Sequence, residues 1–82
     1  MSIALEEVVA KVFHIPAASV TDELEFNGVP EWDSLNHFNL MLELEQVYGV
    51  TVGEDEMVNL TTVRAIREFL VRHAQDGRPA GD

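Results

Sequence analysis

The sequence predicts an all-α domain: a small bundle of three main helices plus one short helix, with a long loop after the first. Three observations carry this. Apolar residues recur at helical spacing in three separate stretches, and no stretch of useful length alternates apolar and polar residues as a strand does. The intervals between those stretches hold the breakers Pro16, Asn27-Gly28, Pro30, Gly49 and Gly53. At 82 residues, 46% of them apolar, the chain is long enough for one small domain and too short for two.

The first helix is expected to run from an N-cap at Ser2 to about Phe13. Leu5, Val8, Val9, Val12 and Phe13 then share a core-facing side, and Glu7 and Lys11 lie four apart on the polar side. Pro16 ends the helical possibilities, and residues 14–33 form the long loop. Loops of that length are unusual in a compact domain unless they pack down. Ile15, Val20, Leu24, Phe26 and Val29 supply the apolar surface to lay this one along the bundle.

The second helix is expected from Ser34 to Tyr48, with Asp33 as its N-cap and Gly49-Val50 as its stop. A loop with Gly53 and the run Glu54-Asp55-Glu56 follows, then a short helical turn from Met57 to about Leu60. Thr61 or Thr62 caps a last helix to about Ala74, on which Val63, Ile66, Phe69 and Leu70 face the core and Arg64, Glu68 and Arg72 form a four-spaced ladder. The expected organisation is thus a free-standing helical domain over 1–74 and a flexible tail over 75–82.

Fifteen acidic residues against five Lys and Arg give a formal net charge of -10. No Lys or Arg occurs from Val12 through Val63, where ten carboxylates fall, so the whole excess sits in the middle of the chain. Such a surface repels phosphate backbones and anionic lipid, which excludes nucleic acid and membrane as partners and favours steering toward basic proteins. No apolar run approaches the ~20 residues of a transmembrane helix, and no secretion signal is recognisable. Cysteine is absent, which removes disulfides and any thiol chemistry of the chain's own. A cytoplasmic monomer is expected.

On a helical wheel the second helix carries one apolar face more than a bundle needs. Leu40, Met41, Leu44, Val47 and Tyr48 suffice for the core, while Leu35, Phe38 and Leu42 lie nearly opposite. Either the long loop covers this second stripe or a partner does, and the partner is favoured. Ser34 stands at the head of the same helix, where free N–H groups and the helix dipole favour an attached phosphate; the plain alternative is that it shares the capping role of Asp33.

The stretch Glu31-Trp32-Asp33-Ser34-Leu35, followed by NHFNLMLELEQVYGVTV, an acidic cluster and LTTVRAIREFL, strongly resembles the acyl carrier proteins, from about Val20 through Leu70. The resemblance implies a discrete carrier with 4′-phosphopantetheine attached to Ser34, Asp33 and Leu35 being its recognition neighbours. It implies partner docking by Leu35, Phe38, Leu42 and Glu45, with Glu54, Asp55 and Glu56 supplying charge, and it puts Met57 and Leu60 near the mouth of a cavity for an attached chain. The implied partners are a phosphopantetheinyl transferase, drawing on coenzyme A, and the acyl-loading, synthase or transferase enzymes of fatty-acid, polyketide or related biosynthesis. Asn36, Asn39 and Gln46 depart from the family pattern, in which acids are frequent at these places, so apolar contact gains weight on this helix and a specialised pathway is favoured.

The missing thiol fits a carrier, because the reactive sulfur then arrives on the arm. Asp33, Ser34 and His37 do not make an enzyme: one helical turn rarely aligns nucleophile, base and orienting group, and no oxyanion hole is evident. His37 is read as a helix-end residue touching the bundle or the arm, and Trp32 as a lid over the loop core ahead of a contact for the modifying enzyme. The scattered His14, His37 and His73 give no metal site, and the acidic run lacks the ligand spacing of a calcium loop. The rival readings are a peptidyl or aminoacyl carrier and an unmodified acidic adaptor.

Overall fold

The computed structural model describes residues 4–75, all of whose regular elements are helical. Helix α1 spans Leu5–Phe13, a 3-10 turn covers Ala17–Ser19, and α2 spans Ser34–Tyr48. The short α3 follows at Glu54–Asn59, and α4 at Val63–Gln75. The expected all-α architecture is the observed one, with α2 bounded as its capping residues dictate.

Local chemistry explains the boundaries. Asp33 is extended at the head of α2 and its Oδ1 accepts the Asn36 N–H at 2.9 Å. Gly49 closes the helix with a left-handed φ of 69° and donates its N–H to the Glu45 carbonyl. Helix α1 starts after Ala4, which offers no side-chain cap, and Glu6 and Glu7 in the first turn complement the dipole. The expected cap Ser2 lies outside the described residues. Helix α4 runs through Gln75, one residue into the expected tail; residues 76–82 lie outside the described residues.

The core gathers Phe13, Trp32, Leu40, Leu44, Ile66 and Phe69 with their smaller neighbours, and the Phe13 and Trp32 rings meet at 5.2 Å in a tilted pair. On α2, Leu40, Met41 and Leu44 are buried, and Val47 and Tyr48 pack against the same cluster. The long loop lies on the bundle as expected. Val20 and Trp32 are buried, and Ile15, Leu24, Phe26 and Val29 pack against the core.

The loop also does what its sequence does not announce. It pairs with the head of α4: Phe26 donates its N–H to the Thr61 carbonyl (2.8 Å), Val63 to Leu24 (3.0 Å) and Arg64 to Asp22 (3.1 Å), around an isolated antiparallel bridge of Glu25 with Thr62. Gly28 is required in the tight turn that precedes Pro30, because a Cβ there would come within 2.9 Å of the Glu25 carbonyl oxygen.

Three local expectations are corrected. The short helix begins at Glu54 rather than Met57, since Glu54, Asp55 and Glu56 form its first turn, where negative charge suits the dipole. Lys11 reaches across to Glu43 on α2 at 3.1 Å instead of back to Glu7. Arg64 leaves the expected ladder for Glu23 of the loop at 2.9 Å. Arg67 joins Glu6 of α1 to Asp22 of the loop, and its guanidinium holds the Glu6 carboxyl below the usual carboxylate range. Lys11, Arg64 and Arg67 thus bind the acidic middle of the chain to its ends.

Candidate functional site

Ser34 is the first residue of α2 and is exposed. The Asp33 side chain takes the Asn36 N–H, and the Asp33 carbonyl takes that of His37 at 2.8 Å. The N–H groups of Ser34 and Leu35 find no acceptor among the described residues. An exposed hydroxyl therefore stands beside two free backbone donors at the positive end of a 15-residue helix. The loop that delivers it is firmly held: the Asn36 side-chain amide donates to the Glu31 carbonyl at 2.8 Å, and Asn27 donates its N–H to the Trp32 carbonyl at 2.9 Å.

The second apolar stripe of α2 is open, not covered by the loop. Leu35 is 69% exposed, Phe38 48% and Leu42 43%. Helix α3 adds Val58 at 70%, a residue inside the expected Met57–Leu60 turn that its sequence does not single out, because so short a turn shows no apolar face. Glu54, Asp55 and Glu56 are exposed along the first turn of α3. Asn36 and Asn39 hydrogen-bond each other on the α2 side. Of the α2 acids, Glu43 is paired with Lys11, and Glu45 is half-buried with its Oε2 accepting the Val52 N–H at 2.8 Å. Met57 is half-buried against the core and Leu60 is buried.

Trp32 and His37 are both buried, and the Trp32 indole N–H donates to His37 Nδ1 at 3.0 Å. His37 Nε2 lies 2.8 Å from the Met57 carbonyl. Both ring nitrogens are committed, so His37 offers no base to Ser34, and Asp33 is occupied as a cap. Among the described residues, no three His, Asp or Glu side chains are placed to hold a metal ion, and no helix is long and apolar enough to cross a membrane.

A family profile described as "Phosphopantetheine attachment site" matches residues 4–70. The chain belongs to the acyl carrier protein family. It is 34% identical over 74 residues to polyketide-8 synthase acyl carrier protein 2 of Streptomyces avermitilis, a match covering 90% of this chain and 85% of that one. It is 30% identical over 69 residues to the acyl carrier protein of Rubrobacter xylanophilus, covering 84% and 85%. A third relative, the acyl carrier protein of Acidothermus cellulolyticus, is 34% identical over 59 residues, covering 72% and 70%. Acyl carrier proteins are carriers rather than catalysts, and they work with synthase and transferase enzymes. The group this family attaches is phosphopantetheine. The residues present fit it: the head of α2 combines an exposed hydroxyl with unpaired donors for a phosphate, and the chain has no thiol to compete with the sulfur of the arm.

Proposed function

We propose that the chain holds acyl intermediates as thioesters on a phosphopantetheine arm attached to Ser34 and delivers them to partner enzymes of polyketide, fatty-acid or related biosynthesis. The observation that carries this is the exposed Ser34 hydroxyl at a helix head with two unpaired N–H groups. A phosphopantetheinyl transferase has to supply the activating base, since His37 and Asp33, the candidates beside Ser34 among the described residues, are both committed. The Ser34 oxygen would form a bond to the phosphorus that bears the arm as the pyrophosphate bond of coenzyme A breaks, adenosine 3′,5′-bisphosphate leaving and the hydroxyl proton passing to that enzyme's base. The Ser34 and Leu35 N–H groups and the α2 dipole then stabilise the phosphodiester charge. When attached, the group supplies the thiol on which acyl cargo is held.

Asp33 and Leu35 form the recognition surround of Ser34. Leu35, Phe38 and Leu42 seat partners through apolar contact, with Glu45 at the stripe's edge, while Glu54, Asp55 and Glu56 steer basic partner surfaces toward α3. Met57 and Leu60 border the way into the bundle for an attached chain. The polyketide-type relative and the uncharged Asn36 and Asn39 support a specialised assembly pathway, served by a cytoplasmic monomer.

Intact mass after incubation with coenzyme A and a promiscuous phosphopantetheinyl transferase tests the reading. Wild type should gain one arm and Ser34→Ala none. Wild type that stays unmodified with several active transferases would hand the function to the adaptor reading.

A further inference from the structure

His37 is the buried polar side chain of the core, and the carrier reading assigns it no part. Its ring lies edge to edge with Trp32, with centroids 6.1 Å apart and planes 28° apart, and meets the Phe26 ring edge-on at 5.5 Å. Trp32 Nε1 has only a proton to offer, so the His37 Nδ1 facing it at 3.0 Å presents its lone pair. A neutral ring then carries its proton on Nε2, which donates to the Met57 carbonyl at 2.8 Å. The neighbours dictate the tautomer.

Each bond holds a different part of the site. Trp32 directly precedes Asp33 and Ser34, so the Nδ1 bond pins the loop that presents the serine to the helix it opens. Met57 lies mid-way along α3, a six-residue helix none of whose residues is buried. Among the described residues, the bond to His37 is the hydrogen bond that joins α3 to another helix.

We propose that His37 is a positioning residue for the modification of Ser34, acting through Trp32 on one nitrogen, and the anchor of α3 on the other. The claim rests on Ser34 as the attachment site and adds two separable tethers on one ring. Long-range proton–nitrogen NMR should show Nε2 protonated and Nδ1 bare at neutral pH. His37→Phe keeps an aromatic ring and loses both bonds. It should lower kcat/KM for arm transfer from coenzyme A about tenfold, mainly in kcat, through misplacement of the hydroxyl, and α3 amides should exchange faster.

His37→Asn sets an acceptor near the Nδ1 position and should restore most of the transfer rate without the protection of α3. His37→Gln extends a donor toward the Nε2 position and should restore that protection without the rate. A protonated Nδ1, or a His37→Phe variant modified at the wild-type kcat/KM, overturns the proposal. So does a common loss of rate and protection in all three variants that tracks Tm alone, which is what a merely structural residue would give. If wild type itself takes no arm, the Ser34 reading fails, and the tautomer and the exchange patterns of the variants still decide whether the two tethers exist.

Discussion

The heads of α2 and α4 are each capped by a side-chain oxygen three residues back, Asp33 in one and Thr62 in the other, and are finished differently. At α4 every opening donor is taken: Val63 N–H by the Leu24 carbonyl, Arg64 by Asp22, Ala65 by Thr62 Oγ1 at 3.0 Å and Ile66 by the Thr62 carbonyl. At α2 the third and fourth donors are capped by Asp33, and the first two, on Ser34 and Leu35, are left open. Leaving backbone donors unpaired is tolerable where water or an anion can reach them. The closed head is part of the architecture, and the open one is where we propose that the arm attaches. The same asymmetry runs along α2, whose two apolar sides are chemically alike, one sealed in the core and the other bare.

The sharpest way to break this contrast is to truncate one residue from each side of α2. Leu44→Ala, at a fully buried position, should cost about 3 kcal/mol in urea unfolding, as emptied core sites do. Phe38→Ala should cost about 1 kcal/mol or less, yet lower kcat/KM for acyl transfer to a partner enzyme several-fold to about tenfold. Equal stability losses at the two positions would mean that both sides are core.

The helix heads themselves come next. Thr62→Ala and Asp33→Ala each remove a capping oxygen and should each cost about 1 kcal/mol in thermal or urea unfolding. Only Asp33→Ala should also slow arm transfer, because only that cap borders Ser34, the proposed attachment site. Smaller again is the acidic turn of α3. Replacing Glu54, Asp55 and Glu56 by their amides should slow association with a basic partner a few-fold at low salt, with the difference fading as ionic strength rises.

The smallest effect concerns the neutralised side of the molecule. Glu6 titrates below its usual range because of Arg67, so its contribution to stability is present above about pH 4.3, the unfolded value, and is lost as pH falls through the lower folded value. Wild type should exceed Glu6→Gln by less than about 1 kcal/mol near neutrality, since the pair is partly exposed. The gap should close as the solution is acidified, which thermal unfolding at two pH values will read.

What was legible in the sequence follows from the range of the forces involved. The limits of α2 are set by Asp33 and Gly49, whose effects are local, and its two apolar sides follow from helical spacing alone. Ser34 stands out in the sequence because a short motif and its helical context coincide. The start of α3 was missed because three consecutive acids read equally well as a solvated loop or as a first turn stabilised by the dipole. Lys11 and Arg64 were assigned to neighbours four residues away, whereas tertiary proximity offered them Glu43 and Glu23. The loop's bridge to Thr62 and the His37–Met57 bond join segments far apart in the chain, and no local pattern encodes them.

The central claim is that an open helix head receives the arm. The chain has three serines, Ser2, Ser19 and Ser34, of which Ser19 is also exposed. Fragment-ion mass spectrometry of the modified protein locates the added group directly. The account expects all of it on Ser34; an arm found on Ser19 or Ser2, with Ser34 untouched, would contradict it.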